Sequence, residues 1–173
     1  MQKIYIVLSY TGTILAKLVR GYTKREYSHV SISLDKNLNE MYSFGRLNPY
    51  NPFIGGFVQE SPHYGTFKRF KNTKSKIYSL EVSDEQYAAI REAIQEIQRS
   101  KHLYSFNTIG LFAVAFHLRL ARKNHYYCAE FVKYILDCAK LDIDLPELIT
   151  PMDFANVTEM CEIYTGLLNK YNY

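Results

Sequence analysis

Tryptophan is missing from this 173-residue chain, so its aromatic surface comes from 16 Tyr and 10 Phe. The core and any substrate groove must therefore be lined by phenyl and phenolic rings, and a Tyr can pack its ring while still offering a hydroxyl. Cysteine is scarce: Cys128, Cys138 and Cys161 are odd in number and lack a CxxC spacing. That argues against a disulfide framework and a zinc cage and implies free thiols in a reducing compartment. Long hydrophobic runs are also lacking. The longest, Ile109 to Leu118, is interrupted by Gly110 and His117, is shorter than the roughly 17–25 residues a spanning helix needs, and reads as a buried core helix. The opening Met1-Gln2-Lys3 leads into an apolar run that breaks at Ser9-Tyr10-Thr11-Gly12 without a small-residue cleavage site. The expectation is a soluble, cytoplasmic protein with no integral membrane association. The histidines are scattered, with no HxxxH or similar ligand pattern, so neither a metal nor another cofactor is expected.

What is present fits one ordinary globular domain. The composition is 47% hydrophobic and 22% charged, enough apolar surface to offset the entropy of ordering a single core. The net charge of +4 is uneven: Met1 to Val82 holds 12 Lys/Arg against 5 Asp/Glu, and the remainder holds 9 against 12. The densest cationic run is Lys68, Arg69, Lys71, Lys74 and Lys76. It could attract anionic partners, but it reads best as a solvated strand edge guarded by lysines. The interleaved aromatic and basic pattern of an RNA module is absent, and no nucleic-acid partner is expected.

Along the chain, Lys3 to Ser9 is a β-branched apolar run and predicts a buried strand. Ile14, Leu15, Leu18, Val19 and Tyr22 recur at helical spacing, predicting a short helix that ends near Gly21. From His29 to Leu34, apolar Val30, Ile32 and Leu34 alternate with His29, Ser31 and Ser33, giving a strand with one polar face. Asp35-Lys36-Asn37 supplies turn chemistry, and Leu38 to Phe44 can return as its antiparallel partner. Gly45 to Thr66, with three prolines and four glycines, predicts a long irregular loop. Strand character resumes at Thr66 to Phe70 and at Lys76 to Val82. Ser83 with Gln86 forms a capping-box pattern ahead of Tyr87, Ile90, Ile94 and Ile97, predicting a helix over Asp84 to Arg99. Further helices are expected over Thr108 to Arg122 and Tyr127 to Ala139. A short one near Met152 to Thr158 falls in a tail that reads as packing.

Cys128 falls at the expected first turn of a helix, in Asn124-His125-Tyr126-Tyr127-Cys128-Ala129-Glu130-Phe131. A thiolate at such a place is stabilised by the positive end of the helix dipole and by backbone N–H groups that no carbonyl has claimed. The N–H of Cys128 itself would face a developing oxyanion. The plainer alternative is a small buried hydrophobe on one stripe with Val132 and Ile135, which is how Cys138 and Cys161 are read. His29 opens a strand after Glu26-Tyr27-Ser28, where its imidazole could project toward a neighbouring helix terminus. Spacing alone does not join the two.

Their motifs taken together do. Tyr27-Ser28-His29-Val30-Ser31-Ile32-Ser33-Leu34, followed far downstream by Tyr126-Tyr127-Cys128-Ala129-Glu130-Phe131-Val132, resembles the permuted NlpC-type papain-like amidases and peptidases. In that family the His strand precedes the Cys helix, and the lecithin retinol acyltransferase-like proteins are distant relations. The resemblance spans roughly Ile4 to Leu136. It implies an α+β fold with an antiparallel sheet packed against helices and a Cys–His pair in the groove. Cys128 would attack a carbonyl and His29 would take and return the proton, through a thioester.

The family adds a third polar residue to orient the imidazole, and here the sequence departs from the pattern. In a tight hairpin centred near Lys36 or between Lys36 and Asn37, the residue across from His29 is Ser43 or Phe44, so Ser43 is the geometric choice. Glu40 is chemically stronger but nearer the turn, and Glu60 qualifies if its loop folds back. Tyr10 and Tyr127 are candidates for the oxyanion hole or substrate pocket, and Tyr10 serves equally as an aromatic wall. The Gly-Asp pair common near the N-terminus of such proteins is missing, which leaves the substrate open among peptides, muropeptide fragments and acyl-lipids. The expectation is a thiol hydrolase or acyltransferase acting on an amide or ester. The alternative is a catalytically silent module that holds a peptide or lipid in the same groove.

Overall fold

Apolar residues on both faces of a strand demand cover on both sides, and the run Ile4 to Leu8 finds it at the middle of a sheet. The computed structural model describes residues 1–13, 16–17, 20–21, 26–107 and 124–172. In it β1 (Gln2–Tyr10) lies between β2 (His29–Ser33) and β5 (Lys74–Val82), antiparallel to both. With β3 (Met41–Asn48), β4 (Asn51–Glu60) and β8 (Cys161–Leu167) they form a six-stranded antiparallel sheet in the order β4-β3-β2-β1-β5-β8. A two-stranded parallel pair, β6 (Ser105–Phe106) and β7 (His125–Tyr126), stands apart from it. Among the described residues, the α-helices with defined bounds are α1 (Gly65–Arg69), α2 (Asp84–Arg99) and α3 (Cys128–Cys138). The fold is therefore α+β, as expected.

Each sheet face carries its own core. Ile4, Ile6, Leu8, Val30, Ile32, Phe44 and Leu80 face the buried stripes of α2 (Ile90, Ala93, Ile94, Ile97) and α3 (Phe131, Val132, Ile135, Leu136). The opposite face holds a smaller cluster of Tyr5, Val7, Met41, Phe67, Ile77 and Leu168. The capping box at the start of α2 forms as read from the sequence: the Gln86 N–H donates to Ser83 Oγ at 3.1 Å, and the Ser83 N–H to Gln86 Oε1 at 2.9 Å.

Several expectations are corrected. Most of the Gly45 to Thr66 loop is strand, since β3 runs on to Asn48 and β4 occupies Asn51–Glu60. Pro52 and the glycines disguised it, yet β4 is an edge strand, where a missing ladder donor is tolerated. Gly55 is moreover required there, because a Cβ would lie 2.8 Å from Cγ of Phe106 on β6. Thr66 to Phe70 forms helix α1 rather than a strand. Lys74 and Lys76 sit on an interior strand, because the tail supplies β8 as its outer neighbour, and Lys76 pairs with Glu162 at 3.1 Å. In place of the helix expected near Met152 to Thr158 there is a 3-10 segment, Pro151–Asn156. The helix expected over Thr108 to Arg122 lies outside the described residues, and so does most of that over Ile14 to Tyr22. The latter's opening is described: Thr13 accepts from the N–H groups of Ala16 and Lys17 at 3.3 and 2.8 Å. Among the described residues, no helix is long and apolar enough to cross a membrane.

Candidate active site

Cys128 is the first residue of α3, and the residues on its C-terminal side hold its sulfur in place. Phe131, one helical turn on, is fully buried, with its ring 5.4 Å from Phe44 on β3 and 5.8 Å from Phe57 on β4. These ring contacts clamp the N-terminal turn of α3 to the sheet. Tyr127, extended at the N-cap, donates its N–H to Glu130 Oε2 at 3.2 Å, and the first intrahelical bond runs from Phe131 N–H to Tyr127 O at 3.0 Å. The earlier N–H groups of the turn, those of Cys128 and Ala129 included, have no i−4 carbonyl inside the helix and face outward from its positive end.

His29 is the first residue of β2, so its ring stands at the end of the sheet, where the α3 terminus reaches it. The Cys128 side chain lines the same cleft as the imidazole and lies near enough to act on its charge. His29 Nε2 lies 3.1 and 3.2 Å from the two carboxylate oxygens of Glu60 at the end of β4. Ser31 Oγ donates to Glu60 Oε2 at 2.5 Å and holds the carboxylate in place. The side chains of His29 and Glu60 are only 20% and 9% exposed, so their charges act on each other with little screening. Burial pulls the imidazole downward, but the Glu60 carboxylate and then the Cys128 sulfur outweigh it, and His29 is pushed up from 6.5 to about 10. For Glu60, burial pulls upward, and the His29 charge with hydrogen bonds from His29 and Ser31 more than offsets it, holding the carboxyl below its ordinary range. At neutral pH the pair is imidazolium and carboxylate.

Glu60 reaches His29 by crossing β3, and β3 is small where it crosses. A Cβ on Gly45 would lie 3.2 Å from Glu60 Oε1, 3.2 Å from Ser43 Oγ and 3.3 Å from His29 Cε1. Gly45→Ala is therefore expected to push carboxylate and imidazole apart. It should slow alkylation of Cys128 by N-ethylmaleimide about tenfold and cost about 1–3 kcal/mol of stability in a urea titration. An unchanged rate would mean that the crossing tolerates a methyl group.

The three groups open onto a cleft whose empty space, open solvent included, is about 690 Å³. Phe44, Gly55, Phe67 and Phe106 supply apolar wall, and Thr11, Ser28, Arg46 and Thr66 supply polar groups. The chain matches no protein-family model, and no curated protein matches it.

Of the residues singled out in the sequence, Cys128, His29 and Glu60 come together, and the rest are placed elsewhere. Ser43 is fully buried and faces the Glu60 carboxylate closely enough to help lower its pKa, but its hydroxyl lies outside hydrogen-bond geometry. The hairpin explains the miss. Asp35 accepts from the N–H groups of Asn37 and Glu40 and from the Asn39 side chain, Leu38 takes φ of 60°, and Leu34 N–H meets Glu40 O. This wider loop pairs Ile32 with Tyr42 and Ser33 with Met41. Continued to the strand end, that register sets Gly45 across from His29. Glu40 points away and pairs with Arg91 at 3.1 Å. The Tyr127 hydroxyl is buried and donates to Ile149 O at 2.8 Å, which withdraws it from the cleft. Tyr10 packs on the main core with the Arg20 guanidinium 5.0 Å over its ring, and does not line the cleft. Sequence reasoning missed Arg46, Phe67 and Phe106, since nothing local in the chain marks them as neighbours.

Proposed function

We propose that this protein is a papain-like thiol enzyme of permuted chain order, a hydrolase or acyltransferase that acts on an amide or ester. The observation that carries the reading is the His29 imidazole bonded to the Glu60 carboxylate on the wall of a cleft that Cys128, the first residue of helix α3, also lines. With its proton already passed to His29, the Cys128 sulfur attacks the substrate carbonyl carbon as the C=O π bond opens, and the carbonyl oxygen becomes an oxyanion facing the N–H groups of the α3 first turn. His29 gives its proton to the leaving nitrogen or oxygen as the C–N or C–O bond breaks, leaving a thioester. Water or another acceptor then adds to the thioester, loses its proton to His29, and expels the sulfur. Glu60 fixes the imidazole's orientation and balances its charge throughout.

Exposure makes the test sharp. Cys128 is 4% exposed, whereas Cys138 and Cys161 are exposed, so simple access favours the latter two. N-ethylmaleimide is expected to label Cys128 first regardless, and His29→Ala should slow that labelling by about tenfold or more at pH 7. Peptide mass spectrometry of a time course reads all three sites at once. Labelling ordered by exposure alone would sink the catalytic reading. So would Cys128 labelling that His29→Ala leaves unchanged, and the silent binding module would then be the better account.

A further inference from the structure

The cleft wall carries an arginine for which no described residue provides a counter-charge. Arg46 follows Gly45 on β3, at a register shift between Arg46 and Asn48. A bulge there re-aims the side chain at a strand end. Arg46 is partly buried and lines both the Cys128 cleft and the smaller adjoining pocket around Tyr64, Thr66 and Phe67. Its Nη2 donates to Thr13 Oγ1 at 2.6 Å, which uses one of the five guanidinium donors. The group also lies 5.8 Å from the Phe70 ring centre. Arg69, from the end of α1, stands 5.5 Å from the same ring and 3.9 Å over Tyr50.

Both cations thus flank Phe70, and neither is ion-paired. All 17 acidic residues lie in the described part of the chain, and among the described residues no carboxylate pairs with Arg46 or Arg69. The nearest catalytic carboxylate, Glu60, is committed to His29. Burial and the Arg69 charge both disfavour the Arg46 cation. A half-buried guanidinium beside a second cation is disfavoured, and an anion shared between them relieves both effects.

We infer that Arg46, with Arg69 behind it, is the specificity element of the cleft, and that the substrate carries an oxyanion group, a carboxylate or a phosphate monoester, which the Arg46 fork binds while Cys128 meets the carbonyl. The planar guanidinium matches either group bidentately. The apolar walls formed by Phe44, Phe67 and Phe106 offer a neutral ligand contact but no charge, so a neutral ligand of equal shape forgoes the interaction. This inference rests on the proposed reactivity of Cys128, and its test separates the two.

Cys128 alkylation is measured with 3-maleimidopropionate, 6-maleimidohexanoate and neutral N-ethylmaleimide, with exposed Cys138 in the same molecule as reference. The two arm lengths allow for the span from sulfur to guanidinium. The better anionic reagent is expected to gain about tenfold over N-ethylmaleimide at Cys128, relative to the same ratio at Cys138. Arg46→Gln should collapse that ratio, Arg69→Gln should reduce it, and Arg46→Lys should retain part of it. Inorganic phosphate and glutarate, compared at matched ionic strength, should slow the anionic labelling. The stronger protector identifies the phosphate or the carboxylate class. A Cys128 ratio equal to that of Cys138, a ratio untouched by Arg46→Gln, or protection by neither anion overturns the inference. If N-ethylmaleimide itself fails to prefer Cys128, the failure belongs to the proposed function instead.

Discussion

Glu60→Gln is expected to slow hydrolysis of p-nitrophenyl acetate at pH 7 by about 10³-fold while preserving the fold, because the amide keeps the shape and removes the charge that holds His29 protonated. The amide NH2 can also donate to Nε2, which favours the wrong ring tautomer. Stability should report the same loss with a defined pH dependence. His29 is raised from 6.5 to about 10 by folding, so its share of the pairing energy is fully present below about pH 6.5 and is lost as pH rises through about 10. Glu60 is lowered from 4.5, so its share is present above that value and is lost as pH falls through the lower folded value. The two shifts describe one interaction, strongest between about pH 4.5 and 6.5. Removing one partner of a buried pair costs about 3 kcal/mol. Urea titrations of Glu60→Gln should therefore show a deficit of that order near pH 6, shrinking steadily toward pH 10. A deficit flat across that range would detach the carboxylate from His29 titration.

The second large effect is structural. Phe131→Ala should destabilise the protein by about 3–5 kcal/mol in chemical denaturation, the usual cost of emptying a fully buried phenyl site. Phe131 meets Phe44 and Phe57, which also meet each other edge-on at 6.1 Å, and Phe44 packs on Tyr126 at 5.5 Å. Such ring pairs add about 0.5–1.5 kcal/mol beyond buried area, so the cavity breaks several at once. Because Phe131 is the first large anchor after Cys128, esterase activity should fall further than the unfolded fraction explains. Phe131→Leu should restore most of both, since volume-conserving swaps cost less than about 1.5 kcal/mol. A loss under about 1 kcal/mol for the alanine variant would mean that α3 is held by its later turns alone.

Local signals placed the proposed nucleophile and base on their elements, and only the resemblance of their two motifs to a known family joined them. Cys128 follows an extended Tyr127 and precedes the 3.6-period stripe Phe131, Val132, Ile135, and His29 opens a strict alternation. The Ser83 capping box was equally self-contained. The third residue was harder, because Glu60 meets His29 only through two hairpins, and a one-residue change of register in the first moves every partner. The side-chain geometry of Asp35, which closes the wider loop, is not visible in residue order. Strand β4 hid behind Pro52, Gly55 and Gly56, residues that ordinarily punctuate. The alternation in Phe57-Val58-Gln59-Glu60 was the one clue to it. Arg46, Phe67 and Phe106 converge from distant elements, a convergence set by packing that no local pattern encodes.

Glu60 is the last residue of an edge strand, past the Phe57 side chain that ties β4 to the main core, whereas His29 stands on an interior strand and Cys128 on a helix packed over it. Strand edges open at lower free energy than core elements, and they do so as local cooperative units. Fraying of the last residues of β4, beyond Phe57, withdraws the carboxylate while β1, β2 and α3 remain folded, so that strand end and the core report two different opening equilibria. On the proposed mechanism, competence is then the fraction of time that this strand end is zipped, a quantity that can be tuned there without touching the thiol.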